Sequence, residues 1–340
     1  MKIAIDKDSL NIPKKPENEY IYLFDSEPLE YLRSLNIHCI YYKYCDFVDI
    51  NLSKYNVDCI KQASIKDRNY DKLPEKKYYK IGIIIPNYNY GHIISKCLNS
   101  VLKQTYNNYE IIVVDDCSTD KSIKIVEKYT KKYPRISLVK LKQKRYNGGA
   151  RNEGYLYLSD DVDYVFCLDS DDWLLDNECL ADINGKLQNE PDVLFTGLSK
   201  YKDGITTTEY IPEYNNRYDA LKGWSGCGKV IKKELAIRQD CLYCEGTLKE
   251  DRNQHCKICI NMKSFALLKK PVYVWNRENN KSVTTKRENI MWQTSTIRHY
   301  ADTKQLYLQE IGKDPIVDAY LEERLQLCSM ELQSGGDRQW

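Results

Sequence analysis

No stretch of the 340 residues approaches the run of ~18 apolar residues that a membrane span needs, so a transmembrane helix is not expected. Met1 to Asp8 is polar and charged, so no secretory signal is expected either. Neither sign of charge dominates. With 51 Lys+Arg against 49 Asp+Glu the net charge is +2, which offers no broad footprint for nucleic acid. Cysteine, by contrast, is plentiful. An odd 13 without a secretory signal argue for reduced thiols in a cytoplasm rather than a disulfide framework. The 29 tyrosines, with abundant Lys, Asn and Ile, read as the imprint of an AT-rich genome, microbial, phage or viral, and not as a functional patch. A phage or viral copy would work in the host cytoplasm.

The feature that stands out is Asp169-Ser170-Asp171-Asp172, directly after the apolar run Tyr164 to Leu168. Carboxylates crowded at the mouth of a buried strand repel one another unless a cation or solvent compensates them. Oxygen-only ligands suit a hard ion, Mg²⁺ or Mn²⁺. The alternative is a solvated acidic turn between a strand and a helix starting at Trp173, with Asp172 at the helix start. Upstream, Ile81 to Ile85 reads as a buried strand stopped by Pro86 and followed by the polar, aromatic loop Asn87-Tyr88-Asn89. Between His92 and Gln104, Ile93, Ile94, Cys97, Leu98, Val101 and Leu102 have the spacing of an amphipathic helix. A second strand, Ile111 to Val114, ends in Asp115-Asp116-Cys117-Ser118-Thr119-Asp120, where Ser118, Thr119 or Asp120 can cap a helix from about Lys121. Alternating strands and helices with polar strand ends predict an α/β fold with a mainly parallel sheet. Ligands of such sheets sit outside the carboxyl ends of the strands, where Tyr88, Asp116 and Asp171 would converge.

Five motifs in order carry a resemblance. They are Ile-Ile-Pro-Asn-Tyr-Asn at 84–89, Leu-Asn-Ser-Val-Leu-Lys-Gln-Thr at 98–105, Val-Asp-Asp-Cys-Ser-Thr-Asp at 114–120, Gly-Ala-Arg-Asn-Glu-Gly at 149–154 and Leu-Asp-Ser-Asp-Asp at 168–172. Over roughly residues 80 to 290 the chain resembles a family 2 glycosyltransferase of the GT-A fold. That resemblance implies an inverting, nucleotide-sugar-dependent transferase using Mn²⁺ or Mg²⁺. It places Pro86 and Tyr88 at the nucleotide base and Asp116 on the base edge, where a carboxylate accepts the imide N–H of uracil and so favours a UDP-sugar. The competing reading makes Asp116 a helix-start carboxylate. Asp169 would approach the ribose or a metal-bound water, Ser170 would lie beside the nucleotide, and Asp171 would ligate the metal. Arg151, read as opening a helix after Gly148-Gly149, would touch base or phosphates, against the alternative of a surface arginine. The loop Lys142 to Asn147 before it is shorter than is usual in similar sequences.

The resemblance also makes Asp251 the base that deprotonates the acceptor hydroxyl, with Glu250 a helper or helix-start residue. The helix beyond departs from the family, with polar Arg252, Asn253, Gln254 and His255 where similar chains are apolar. Arg277 or Lys281 is expected near the donor phosphates. No Gln-x-x-Arg-Trp signature of processive synthases occurs, which favours single or stepwise transfer. Cys241-x2-Cys244 and Cys256-x2-Cys259 have the form of a structural zinc site clamping this region, against the alternative that Cys256 and Cys259 are core residues on a helix.

Three divisions are expected: a small N-terminal α/β extension at 1–79 (Tyr20 to Phe24, Pro28 to Leu35, Cys39 to Tyr42), a GT-A domain at 80–288 and a C-terminal helical segment at 289–340. The last could bind acceptor, a partner or a membrane surface, or be a packed tail. Two other classes compete. A nucleotidyltransferase would want a basic phosphate loop early, but Pro86 to Gly91 has no lysine or arginine. A non-catalytic nucleotide-sugar-binding module could dispense with carboxylates that are all present. The sugar and the acceptor, whether glycan, lipid or protein, lie beyond the motifs.

Overall fold

The computed structural model describes residues 77–223, 227–246, 250–278, 300–305 and 315–333. The chain divides between Glu75 and Lys76, and all of these residues belong to the second unit. The expected N-terminal α/β extension and Lys281 lie outside the described residues.

Strands β1 (Ile81–Asn87), β2 (Tyr109–Asp115), β3 (Ile136–Lys140), β4 (Tyr164–Cys167), β5 (Trp173–Leu174), β6 (Val193–Lys202), β7 (Ile205–Tyr210), β8 (Lys229–Lys232) and β9 (Phe265–Asn276) form one sheet. Its order is β3-β2-β1-β4-β8-β6-β9-β5, with β7 paired to β6 off this path. β1 to β4 are parallel. β8 runs antiparallel to both β4 and β6, so β6 and its parallel neighbour β9 point the same way as β4. The carboxyl ends of β1, β2, β4, β6 and β9 therefore share one edge.

Helices α1 (Ile94–Leu102), α2 (Ser122–Lys132), α3 (Tyr146–Leu156), α4 (Cys179–Lys186), α5 (Arg217–Lys222), α6 (Lys233–Ala236), α7 (Glu250–Asn261) and α8 (Pro315–Gln333) accompany the sheet. The continuous apolar run of β1 follows from burial on both faces. Ile81, Ile83 and Ile85 join Leu98 and Val101 in one core cluster, while Ile84 joins Tyr155 and Val165 in the other. Each such isoleucine, fully buried, contributes about 2–3 kcal/mol of transfer free energy.

Three local expectations change. Pro86 does not stop β1, since it pairs with Val114 and the strand runs on to Asn87. Ile84 O accepts from Leu168 N, so Pro86, two residues on, turns its nitrogen to the same side, where β4 has ended and no donor is needed. Trp173 begins no helix. It forms a two-residue strand against Val274 and Tyr273, and the helix waits until Cys179.

The third change concerns Arg151, which lies inside a helix that begins at Tyr146 rather than opening one. Gly148, Gly149 and Gly154 sit within that helix, where each costs about 1 kcal/mol relative to alanine. Close approach explains two of them. A Cβ on Gly148 would lie 2.6 Å from the Cys244 carbonyl oxygen, and one on Gly154 would lie 2.6 Å from Ile84 Cγ2.

The polar residues by which α7 departs from similar chains turn inward. Arg252 donates to the carbonyls of Leu221 (3.0 Å) and Gly223 (2.9 Å), and its Nε donates to Tyr300 OH at 3.2 Å. His255 Nε2 lies 2.8 Å from the Ala220 carbonyl. Burial, then Lys229 and Arg252, hold His255 well below the ordinary histidine value, so the neutral ring donates that bond. Both side chains donate to carbonyls at the end of α5, where helical pairing runs out and only the Ala220 carbonyl also accepts a local amide, that of Gly223 at 2.9 Å. Beyond residue 288 the described parts are a helical stretch at 300–305 and α8, joined by Lys304 to Asp318 and Glu322. Among the described residues no helix is long and apolar enough to cross a membrane.

Candidate active site

The loops after β1 and β2 are stitched together by short polar side chains. Buried Asn87 donates from Nδ2 to Asp115 (2.8 Å) and to Ser118 Oγ (3.2 Å). Asn89, in the left-handed region at φ 59°, accepts from the amides of Thr119 (2.8 Å) and Asp120 (3.2 Å). Of the three capping candidates for α2, Asp120 accepts the N–H of its first residue, Ser122, at 2.8 Å.

Asp116 is buried and does cap a helix, but a different one. Its two oxygens accept the amides of Arg145 (2.6 Å) and Tyr146 (2.9 Å), at the start of α3. Across from it the Tyr88 ring is 38% exposed, with Lys144 Nζ 3.1 Å from its centroid. The loop 142–146 thereby brings Tyr88, Asp116 and the start of α3 together.

Five residues along α3, Arg151 is only 5% exposed, which rules out a surface arginine. Its guanidinium bonds Asp169 Oδ1 at 2.5 Å and Glu250 Oε1 at 2.7 Å, and lies 5.0 Å from the Tyr243 ring centroid. Burial works against its charge, but Asp169, Tyr243 and Glu250 more than compensate and hold it well above the ordinary arginine value. Burial lifts Glu250 to about 7, opposed by Arg151 and reinforced by Asp251. A cavity of about 40 Å³ opens beside this pair, lined by Arg151, Asp169, Lys229, Tyr243 and Asp251 among others.

The acidic motif is sorted by depth. Asp172 is buried, accepting from Tyr273 OH (2.6 Å) and the Asn276 amide (2.8 Å), so it braces β9. Burial, then Asp171 and Asp169, push its carboxyl well up. Ser170 is buried too, with its Oγ unpartnered among the described residues, whereas Asp169 and Asp171 are half-exposed. Two hard carboxylates at an open strand end fit Mg²⁺ or Mn²⁺, which typically bind one or two carboxylates and complete their shell with phosphate oxygens and water. Among the described residues no three His, Cys, Asp or Glu side chains gather as a metal site. The four-cysteine zinc reading therefore finds no support. Cys241, Cys256 and Cys259 are directed into an apolar core cluster, and Cys244 lies outside it, half-buried. Arg277 stacks 4.2 Å over Trp275, and its amide donates to Tyr201.

Thus the fold gathers Arg151, Asp169 and Asp251 at one cavity, and Tyr88 with Asp116 at the loop that leads into α3. Tyr243 was signalled by no motif, and Lys229, in the Gly228 to Leu235 segment that precedes the Glu250-Asp251 pair in similar sequences, was given no role. A local clue to Lys229 is its place directly ahead of the apolar pair Val230-Ile231.

A parallel sheet with acidic strand ends, extended through an antiparallel strand into a second pair, defines the GT-A fold. The profile of glycosyl transferase family 2 matches residues 82–273, more than half of the chain, and the chain belongs to that family. It is 31% identical over 150 residues to UDP-Glc:alpha-D-GlcNAc-diphosphoundecaprenol beta-1,3-glucosyltransferase WfgD of Escherichia coli, covering 44% of this chain and 58% of that protein. The chain spans 18% to 58% of the length of three such curated relatives, and 68% of the putative teichuronic acid biosynthesis glycosyltransferase TuaG of Bacillus subtilis. Among solved structures it is similar to Staphylococcus aureus TarS 1–349 in complex with UDP-GlcNAc, with a TM-score of 0.56 and 23% identity over 74% of this chain and 71% of that one. Mannosyltransferase PcManGT of Pyrobaculum calidifontis, in complex with GDP-Man and Mn²⁺, gives a TM-score of 0.51 at 20% identity, covering 81% and 80%.

Proposed function

We propose that this protein is a metal-dependent, inverting glycosyltransferase that moves one sugar from a UDP-sugar to an acceptor hydroxyl. The observation that carries the reading is the convergence of Arg151, Asp169 and Asp251, from three distant stretches, on one cavity at the carboxyl edge of the sheet.

Tyr88 offers a ring face to the base. Each Asp116 oxygen, after accepting one backbone amide, keeps acceptor capacity for the imide N–H of uracil. The UDP-GlcNAc bound by TarS supports the choice of uridine. Asp171 and Asp169 would hold Mn²⁺ or Mg²⁺, in keeping with the Mn²⁺ of the mannosyltransferase. The metal would supply Lewis-acid neutralisation of the diphosphate as it leaves. Arg151 anchors Asp169 from behind, which fixes that carboxylate before donor arrives.

Asp251, half-buried at the first turn of α7, takes the acceptor proton. The acceptor oxygen bonds to the anomeric carbon as the bond from that carbon to the diphosphate oxygen breaks, and the electron pair leaves with UDP. Attack opposite the leaving group inverts the configuration through an oxocarbenium-like transition state. The acceptor is a hydroxyl of a glycan, lipid or protein, and action in the cytoplasm suits a nucleotide-sugar donor. UDP release from a panel of UDP-, GDP- and CDP-sugars, with Mn²⁺ and with EDTA, tests the reading. Metal-stimulated release from a UDP-sugar is expected, and release from none of them defeats it.

A further inference from the structure

Lys229 is a lysine in a place where the fold alone would take an apolar residue. It opens β8, is 7% exposed, and is followed by buried Val230 and Ile231. Because β8 runs antiparallel between β4 and β6, its first residue reaches the active edge. Val230 lies opposite Phe166 of β4, and Lys229 opposite Phe195 of β6. The strand start is pinned just ahead. Gly228 takes φ +85°, and its carbonyl accepts from Thr196 N at 2.8 Å and Thr196 Oγ1 at 3.1 Å.

The side chain lines the cavity shared by Asp251, Arg151 and Asp169. The charges there do not balance on Arg151 alone. Asp169 comes from the end of β4 and Glu250 and Asp251 from the start of α7, whereas Arg151 of α3 is bonded to Asp169 and Glu250. Lys229 is the second cation at this cavity. Burial lowers its ammonium below the ordinary lysine value, and Asp251 is the largest influence pulling it back up.

We propose that Lys229 is a positioning residue for Asp251, its ammonium orienting the base carboxylate and balancing its charge so that Asp251 faces the acceptor ready to take a proton. The inference rests on the proposed transfer reaction and on Asp251 as its base. Asp251 is half-exposed, so solvent takes up part of the charge that Lys229 would leave behind, and removing Lys229 costs less than breaking a fully buried pair.

The test uses the full chain with Mn²⁺ and the UDP-sugar that the donor panel identifies, comparing wild type with Lys229→Met, Lys229→Arg, Asp251→Asn and the double variant Lys229→Met/Asp251→Asn. Lys229→Met is expected to lower kcat for UDP release about tenfold or more, part of what a general base supplies, with KM and UDP affinity little changed and Tm lowered only modestly. Lys229→Arg should recover much of the loss. In the double variant the Lys229 substitution should cost almost nothing further, because two residues acting as a unit are not additive. Full activity of Lys229→Met overturns the inference, as does a loss repeated undiminished in the Asp251→Asn background. Should Lys229→Met fail to fold, Lys229→Gln and Lys229→Arg read the same cycle. If wild type binds UDP yet turns over no donor, or Asp251→Asn stays fully active, the proposed reaction or its base is what fails, and the inference falls with it.

Discussion

Replacing Arg151 with methionine should destabilise the protein in a way that depends on pH. The guanidinium is buried and bonds two carboxylates, of which Glu250 has a side chain 8% exposed and Asp169 one 33% exposed. Breaking a buried pair by removing one partner typically costs about 3–5 kcal/mol, because it strands the other charge. Here two features reduce that figure. Asp169 reaches solvent, and Glu250, already raised to about 7, can take up a proton. The sign follows from linkage. A carboxyl whose folded value lies above its unfolded value favours the fold below the unfolded value and loses that contribution as pH rises through the folded one. The shift from 4.5 to about 7 corresponds to about 3 kcal/mol against the ionised form. Arg151 opposes that shift, so without it Glu250 resists ionisation further and the penalty of the variant grows with pH. We expect a loss of about 1–2 kcal/mol at pH 5.5, growing to about 3–4 kcal/mol at pH 8. Chemical denaturation of wild type and Arg151→Met at the two pH values measures this directly. A loss under about 1 kcal/mol that is equal at both pH values would refute the account of Glu250 as a buried, reluctantly ionised carboxylate.

Asp116→Asn keeps the size of the side chain but removes its charge from the start of α3. UDP affinity by calorimetry should fall about tenfold, with a stability loss of about 1 kcal/mol, and unchanged UDP binding would remove Asp116 from the base site. Asp171→Ala should weaken Mn²⁺-dependent UDP binding more than Asp251→Asn does, while Asp251→Asn should lower turnover about 10²-fold or more with donor affinity retained; the reverse pattern would exchange their roles. Gly148→Ala drives a methyl to 2.6 Å from the Cys244 carbonyl and should cost about 1–3 kcal/mol in thermal unfolding. A neutral outcome would mean that α3 does not press on the loop before α7.

What could be read early was governed by local pattern. Ile81 to Ile85 and Ile111 to Val114 are apolar at every step because both faces of their strands are covered, and burial continues into Asn87, Asp115 and Asp116, whose polar groups are hydrogen-bonded. The pair Gly148-Gly149 reads as lying ahead of the helix, because the close approach that accounts for Gly148 inside it comes from Cys244, far along the chain. Trp173 looked like a helix start after a carboxylate. Its partner Val274 lies a hundred residues away, and only that pairing makes it a strand. The polar run Arg252 to His255 stood out only as a departure from similar chains, since the carbonyls that Arg252 and His255 serve lie at the end of α5, far from them in the sequence.

The linear chain was sufficient to specify a mainly parallel α/β sheet, the carboxylates at its edge and the family, because hydrophobic period and short motifs are carried by neighbouring residues. Tertiary packing alone decided that Asp116 caps α3, that Arg151 is a buried clamp between Asp169 and Glu250, and that Lys229 shares a cavity with Asp251. Each of these depends on charges meeting across 18 to 99 residues, and electrostatic neighbours of that kind leave no periodic mark in the sequence.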